Sequence, residues 1–358
     1  MPSFKEVQES VCYAYGESVL DDDEFVLLYD AYKPKNRDFP YYSFTDFDLD
    51  IYNDDQCESE FRFRKDDIFD LPAVFDMPDE ITCYNGVKID SVEALCIALN
   101  RFAYPCRYYD MVRLFARPVP QLSIASNHVM DRIYDRWGHL LRDFDQPWLA
   151  PGKLEEYCNA IHMSGAPLKN CFGFVDGTVR PMCRPNEHQR VMYNGHKRVH
   201  AIKVQSLAVP NGLIANLYGP VEGKRHDSAM LRMSGLLQEL QQHAFDTNGN
   251  ILCIYGDPAY PHRPQLQCAF KSAQLTPDED RWNQSMNAAI TSVEWVFGDI
   301  VNYFKFLDFK KNLKIGLSPV GKMYIFCALL HNARICLYGS NTSAYFDITP
   351  PTLDEYFQ

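Results

Sequence analysis

The sequence predicts an α/β protein in which a mixed sheet flanked by helices follows a helical segment and an acidic N-terminal arm. Three observations predict it: acidic residues concentrate in the first 82 positions, apolar residues recur at helical spacing from about Ser91, and short β-type runs follow Leu168. A chain of 358 residues, 46% of them hydrophobic, is long enough to bury a sizeable core. The predicted divisions are an acidic arm at 1–85, a helical segment at 86–150, an α/β domain at 151–340 and a C-terminal tail at 341–358.

The acidic arm accounts for all of the net negative charge of the chain. The formal net charge is −12, but residues 1–82 hold 22 acidic and 7 basic residues, a net of −15. Residues 83–358 therefore have a net charge of +3, and the total does not exclude nucleic acid as a partner. Acids alternate with Tyr and Phe in the arm. This pattern is typical of a flexible interaction segment, and a partly helical extension packed by its aromatic residues is the alternative.

Composition argues against two other classes of protein. Apolar runs such as 324–330 are shorter than the ~20 residues that a membrane-spanning helix needs, and the N-terminus lacks a signal-peptide pattern. The 12 cysteines are scattered without a C-x-x-C pair, which argues against a zinc ribbon or a disulfide framework. We therefore expect a soluble protein in a reducing, intracellular compartment, with no membrane partner.

The helical segment has the outline of three helices. Apolar residues at helical spacing predict a first helix over 92–102, a short helix follows at 107–116, and residues 129–137 include one apolar side of a third. This outline is typical of a helix-turn-helix unit whose last helix would enter the major groove, with Arg132 as a candidate DNA contact. Packing of three helices without DNA binding is the alternative.

After a hinge at 147–152, four apolar runs predict the strands of a sheet. They lie at 172–179, 199–208, 213–218 and 251–255, with one long helix at 228–244 between the third and the fourth. Three meandering strands, a helix, a strand and further helices are the order of elements in ribonuclease-H-like nuclease domains. In such a sheet the first and fourth strands are neighbours at the centre.

Four acidic residues occupy particular places in this order. Asp176 lies in the first strand, Asp257 ends the fourth, Glu294 lies on the helix that follows, and Asp227 opens a helix. An aspartate in an apolar strand is costly unless it is paired or binds a cation. Taken singly, Asp227 fits an acid favoured by a helix N-terminus, and Asp257 fits a turn residue before Pro258.

Taken together, the acids predict a metal site, because the strand order brings Asp176, Asp257 and Glu294 to one place. Carboxylate oxygens suit Mg²⁺ or Mn²⁺. Two such ions can activate a water or a 3′-hydroxyl for phosphodiester hydrolysis or strand transfer.

Basic residues cluster on both sides of these acids in the sequence. Between Arg180 and Arg232 there are nine Lys and Arg residues against three acids, and a second basic cluster follows the Glu294 helix. The candidate DNA-binding residues in the two clusters are Lys197, Arg198, His200, Lys203, Lys224, Arg225, Lys310 and Lys311. Basic runs are often solvated surface, but two clusters around one acidic set favour phosphate binding.

The motifs of the chain resemble those of the PIF/Harbinger family of DDE transposases. The resemblance rests on FVDGT (174–178), YNGHKRVHAIKVQ (193–205), RHDSAML (225–231), GDPAY (256–260), the Glu294 helix and LLHNARI (329–335). It implies that Asp176, Asp257 and Glu294 are the catalytic triad, and that Asp227 is an additional acid of a site for Mg²⁺ or Mn²⁺. It also implies binding of transposon terminal repeats and target DNA, a Myb-like partner protein, a homo-oligomer and a nuclear location.

Three functional hypotheses follow. The first is a metal-dependent DNA endonuclease or transposase, and the second is a domesticated DNA-binding or protein-interaction factor that does not cleave. The third, a metal-dependent phosphatase, leaves the helical segment and the basic clusters unexplained.

Overall fold

The computed structural model describes residues 4–32, 40–272 and 274–358, apart from the side chains of residues 4–6, 292–294 and 297. The described helices are α1 (Phe4–Gly16), α2 (Asp22–Ala31), α3 (Asp54–Phe61), α4 (Lys65–Val74), α5 (Ser91–Ala103), α6 (Tyr108–Phe115), α7 (Val119–Trp137), α8 (Pro151–Met163), α9 (Gln189–Met192), α10 (Asp227–Met233), α11 (Leu236–His243), α12 (Pro277–Tyr303), α13 (Val320–Tyr338), α14 (Asn341–Phe346) and α15 (Leu353–Tyr356). The described strands are β1 (Glu80–Thr82), β2 (Lys88–Asp90), β3 (Cys171–Pro181), β4 (Tyr193–Asn194), β5 (Val199–Ala208), β6 (Ile214–Glu222), β7 (Cys253–Gly256) and β8 (Leu266–Cys268).

The predicted acidic arm contains two structurally different parts. In the first part, every described side chain in 7–32 is exposed or half-buried. This part still has local order, since Asp21 and Glu24 form a capping box at the start of α2. In contrast, α3 and α4 bury Cys57, Phe61 and other apolar residues against α5. The second half of the arm is therefore a helical extension packed by its apolar side chains. Residues 1–3 and 33–39 of the arm lie outside the described residues.

The predicted three-helix segment consists of α5, α6 and α7. Ala116, in the left-handed region, ends α6, and Pro118 precedes α7. The apolar side of α7, including Val129, packs on α5 and α6, and α7 also contacts α13 near the chain's end. Three packed helices are what the spacing predicts, whereas the helix-turn-helix function remains a prediction.

The main sheet has the strand order β4-β5-β3-β7-β8, and β6 pairs with β5. β3 runs antiparallel to β5 and parallel to β7, so the sheet is mixed. β3 and β7 are the first and fourth strands of the sequence prediction, and they are neighbours at the centre, as expected. The curled mixed sheet with flanking helices is compatible with a ribonuclease-H-like fold.

The single helix predicted over 228–244 is wrong, because the structure has two helices there. α10 ends at Met233 and α11 begins at Leu236, with Gly235 between them at φ +73°. This left-handed conformation is open to glycine at little cost and cannot continue an α-helix. Apolar periodicity alone does not show such a break.

α13 is a central helix of the fold, because it contacts elements from both halves of the chain. It contacts α7, α12, α15 and β6, and most of its residues are buried. The Asn332 side chain accepts a hydrogen bond from the Ile214 backbone amide and donates to the Ile214 carbonyl, which fixes α13 to the sheet. One hydrophobic core runs from Leu49 to Phe357 through the described residues, and the predicted domain boundaries remain predictions.

In the described part of the chain, no helix combines the length and the apolar character that crossing a bilayer requires. All twelve cysteines are free thiols.

Candidate functional site

The register of the two central strands places Asp176 beside Asp257. Val175 of β3 pairs with Gly256 of β7, and the two aspartates are the next residue of each strand. A Cβ on Gly256 would lie 2.8 Å from Val175 Cγ1, so glycine allows the two strands to approach closely. Asp176 lies in the middle of β3 and Asp257 directly follows β7, so the two residues lie side by side where the pairing of these parallel strands ends.

Each of these two carboxylates also contacts the backbone that follows it. The amide of Gly177 donates to Asp176 Oδ1 at 2.7 Å, and the amide of Ala259 donates to Asp257 Oδ1 at 2.8 Å. Both aspartates are half-buried. These hydrogen bonds fix the orientation of the two carboxylates.

Asp227, at the first turn of α10, lies over the same part of β3. A Cβ on Gly177 would clash with Asp227 Oδ1 and would stand 3.1 Å from Asp227 Cγ. The glycine after Asp176 thus leaves room for a third carboxylate. The structure brings Asp176, Asp227 and Asp257 to the place where the pairing of β3 with β7 ends.

The Asp227 carboxylate is paired with a buried lysine. Lys203 Nζ on β5 stands 2.6 Å from Asp227 Oδ1 and also donates to the carbonyl oxygen of Arg225. The Lys203 side chain is only 7% exposed. Its ammonium group therefore serves the acidic site, which is different from the DNA contact that we predict from the sequence.

Tyr260 completes this site, and we do not single it out from the sequence. Its backbone amide donates to the Asp257 carbonyl oxygen across a tight turn, and this turn folds the chain back toward the end of β7. Tyr260 is 1% exposed, and its hydroxyl has no hydrogen-bond partner among the described residues. Burial, followed by the charges of Asp227, Asp176 and Asp257, raises the pKa of Tyr260 well above its usual value. The only signal in the sequence is its place in GDPAY, which does not show burial.

Glu294 lies on α12, which contacts β3. Its side chain is outside the described residues, so the structure does not test whether it joins the aspartates. Met286, Ala289, Val296 and Ile300 form a buried side of α12. The helix is therefore held against the body of the protein beside the sheet.

The described side chains alone do not form a complete metal centre. Among them, no group of three or more His, Cys, Asp and Glu residues is close enough to hold one ion, and Glu294 is not in the comparison. The donor chemistry nevertheless fits a divalent cation, because Asp176 and Asp257 offer hard oxygen ligands and the hydroxyl of Tyr260 is a buried polar atom without a partner. Lys203 would compete with a cation for Asp227.

Predicted DNA-binding residues of the first basic cluster lie at the far end of β3. Lys197 and Arg198 are exposed in the turn before β5, and His200 is half-buried at the start of that strand. Since Pro181 pairs with Ala201, this turn lies about five residues, or ~17 Å, along β3 from Asp176. Lys224, which is exposed, and Arg225, which pairs with Glu222 at 2.9 Å, join the same end through a backbone hydrogen bond from Lys224 to Val191.

The second basic cluster meets the first at this end of the sheet. Lys310 and Lys311 are exposed in the loop before α13. The backbone amide of Cys183, just beyond β3, donates to the Leu313 carbonyl at 3.2 Å. Two clusters that are far apart in the chain therefore converge near one strand end.

Arg132 has different surroundings from these basic residues. Its guanidinium on α7 donates to the Asp76 carbonyl oxygen, and Arg136 forms an ion pair with the Asp76 carboxylate. Asp131 and Asp135 line the same groove. Acids at these positions oppose the approach of a phosphate backbone to this side of α7.

One comparison with known proteins gives a match over part of the chain. Residues 175–332 match a family model described as DDE superfamily endonuclease, and this stretch includes Asp176, Asp227, Asp257 and Glu294. Searches of curated proteins and of solved structures gave no match. Over residues 175–332 the chain is therefore similar to DDE transposases, and the match does not distinguish the PIF/Harbinger subfamily.

Proposed function

We propose that the protein is a divalent-metal-dependent DNA nuclease and transposase of the PIF/Harbinger type. The observation that supports this most directly is the β3–β7 register, which puts Asp176 and Asp257 side by side within the matched stretch. A phosphatase would need the same carboxylates, but it would have no use for exposed basic residues converging near the end of β3.

In this proposal Asp176, Asp257 and Glu294 hold Mg²⁺ or Mn²⁺, with Asp227 as an additional acid. The cation supplies activation of a water or a 3′-hydroxyl and stabilisation of the leaving oxygen. The backbone amides of Gly177 and Ala259 hold the carboxylates of Asp176 and Asp257 in place. Lys203 limits the negative charge that three close aspartates would otherwise accumulate.

DNA binding is the role that we propose for the exposed basic residues, above all Lys197, Arg198, Lys224, Lys310 and Lys311. Lys and Arg contacts to phosphates position a duplex without reading its sequence. The terminal repeats, the target site, a Myb-like partner, a homo-oligomer and a nuclear location belong to the same proposal through the family resemblance.

The test is DNA cleavage and strand transfer on a duplex bearing candidate terminal repeats taken from the DNA on either side of the gene, with Mg²⁺ or Mn²⁺ added. We expect Asp176→Asn, Asp257→Asn and Glu294→Gln each to reduce the rate by at least about a thousandfold, because loss of one ligand removes charge that stabilises the transition state. Asp280→Asn, an exposed acid on the same helix as Glu294, is the matched control and should leave the rate unchanged. Activity that survives in the three variants would exclude this assignment.

A domesticated DNA-binding factor without cleavage is the second candidate. The Lys203–Asp227 ion pair favours it, since a lysine bound to one acid of the site is a stable arrangement without any cation. In that case the three carboxylate variants would bind DNA as the parent chain does, and Mn²⁺ would not raise the melting temperature of the protein.

A further inference from the structure

A polar cavity of about 350 Å³ lies on the side of α12 that faces α13 and α14. Asp299 of α12, His331 and Arg334 of α13, and Asn341 after the end of α13 contribute to its wall. On an α-helix, residues 331, 334 and 338 share one side, which here faces the cavity. None of Asp176, Lys203, Asp227, Asp257 and Tyr260 lines it.

His331 is an unusual residue in this wall. It is 2% exposed, and neither of its ring nitrogens has a hydrogen-bond partner among the described residues. Burial, assisted by the charge of Arg334, lowers the pKa of His331 to about 3, so the ring is neutral and offers one donor and one acceptor. Buried polar groups are nearly always paired in proteins, so these two nitrogens indicate an occupant of the cavity.

Arg334 supplies a positive charge beside His331. Its guanidinium lies over the ring of Tyr303 at 4.0 Å and near the ring of Tyr338 at 5.0 Å, which hold it in place. Its Nε has no hydrogen-bond partner among the described residues, and none of their carboxylates lies within ion-pair distance of the guanidinium. Asp299 acts on it only through its charge, and that carboxylate has a hydrogen bond from Asn302.

The unmet groups define the chemistry of the occupant. Arg334 Nε and one nitrogen of His331 need acceptor oxygens, and the other nitrogen of His331 needs a donor. A phosphate that keeps one hydroxyl has both, together with the negative charge that suits Arg334. A sulfate or a carboxylate has the oxygens but no hydroxyl at neutral pH.

We propose that this cavity, the His331 pocket, is a phosphate-binding site that takes hydrogen phosphate or the terminal phosphate of a nucleotide or nucleic acid. The cavity has room for the phosphate together with its waters or the attached sugar. The site contains none of Asp176, Asp227 and Asp257, and the proposal does not rest on the proposed nuclease activity.

The test is a titration of the full-length protein, labelled with ¹⁵N in its ten histidines, with inorganic phosphate up to about 50 mM. We expect the ring resonances of His331 to shift in a saturable way, with sulfate binding at least about fivefold more weakly because it leaves one nitrogen unpaired. In a parallel thermal-shift assay, phosphate should raise the melting temperature more than sulfate does.

Variants identify the site, and a control measures non-specific effects. His331→Gln should weaken phosphate binding about fivefold and Arg334→Gln about tenfold or more, since the second removes a charged donor. His243→Gln and Arg281→Gln, which change a half-buried histidine and an exposed arginine elsewhere, should leave binding unchanged.

The outcomes separate the sources of the phosphate. Tighter binding of a nucleoside 5′-monophosphate than of inorganic phosphate would support a nucleic-acid end, and equal or weaker binding would support free phosphate. The absence of a His331 shift in the parent protein would overturn the proposal and indicate a cavity filled with water. Equal binding of sulfate and phosphate, or binding unaffected in folded His331 and Arg334 variants, would also overturn it.

Discussion

At the scale of residues, the site depends on a few positions where the presence or absence of one side-chain atom determines the arrangement of the carboxylates or their surroundings. Gly177 leaves space for the Asp227 carboxylate, Gly256 lets β3 and β7 approach, and the hydroxyl of Tyr260 is buried near three acids with no partner among the described residues. None of these roles can be read from the sequence, because each depends on residues distant in the chain. The positions of Asp176 and Asp257 are different, since each directly follows a run of apolar residues and the order of the strands predicts their neighbourhood.

Gly177→Ala should displace Asp227. The new methyl group would clash with Asp227 Oδ1. This oxygen is paired with Lys203 Nζ, so turning the carboxylate away would break the ion pair. We expect a loss of about 1–3 kcal/mol in the free energy of unfolding, measured by urea denaturation, together with a loss of cleavage. Gly152→Ala, whose added methyl group meets no atom within 4 Å, is the control and should be neutral. Unchanged stability in Gly177→Ala would contradict the geometry of the site.

Tyr260→Phe should leave the fold intact and weaken the binding of Mn²⁺. The hydroxyl has no partner within the described protein, so its removal should change the free energy of unfolding in the absence of a cation by less than about 1 kcal/mol. Calorimetric titration with Mn²⁺ measures the second effect. Tyr255→Phe, which also removes a hydroxyl without a partner, serves as the control. A large loss of stability in the metal-free Tyr260 variant would show that the hydroxyl is bonded within the fold.

At the scale of elements, most strands and helices can be predicted from the sequence, and the exceptions have physical reasons. The strands predicted at 172–179 and 199–208 correspond closely to β3 and β5, because their apolar patterns are continuous and bounded by turn residues. The helix predicted at 228–244 is broken at Gly235, whose conformation depends on the packing of α10 and α11. The pairing of Lys203 with Asp227 joins β5 to α10, and spacing in the sequence does not contain that contact.

Lys203→Met should show how much this contact between elements contributes. The substitution keeps the packed stem and leaves Asp227, which is 20% exposed, without its partner. We expect a loss of about 3 kcal/mol in the free energy of unfolding, and recovery of most of it in the double variant Lys203→Met/Asp227→Asn. Denaturation of both variants in urea checks this. If the double variant were as unstable as the single one, the lost stability would come from packing and not from the ion pair.

At the scale of the whole molecule, charge is divided between an acidic N-terminal part and a body in which basic loops gather at one end of the sheet. The exposed residues Lys197 and Lys311 reach that end from opposite halves of the matched stretch. Segment charges can be counted from the sequence, but the meeting of the two clusters depends on the contact between Cys183 and Leu313. The packing of α3 and α4 into the core likewise distinguishes the two parts of the arm, which composition describes as one.

The double variant Lys197→Ala/Lys311→Ala should weaken DNA binding without changing its sequence preference. Each phosphate contact contributes about one unit to the slope of log K against log salt, so we expect that slope to fall by about two. Lys88→Ala, an exposed lysine on the β1–β2 hairpin that pairs with Glu80, is the control. Binding measured over a range of salt concentrations gives the result, and an unchanged slope would place the DNA elsewhere on the protein.

The central claim is that Asp176 and Asp257 hold a divalent cation at the place where the pairing of β3 with β7 ends. The most direct measurement is anomalous diffraction from crystals of the full-length protein soaked in Mn²⁺, with Asp176→Asn crystals treated in the same way. The account predicts an anomalous peak about 2 Å from carboxylate oxygens of Asp176 and Asp257 in the parent protein, and its loss in the variant. A parent crystal without Mn²⁺ between these two carboxylates, or a variant that keeps it, would contradict the account.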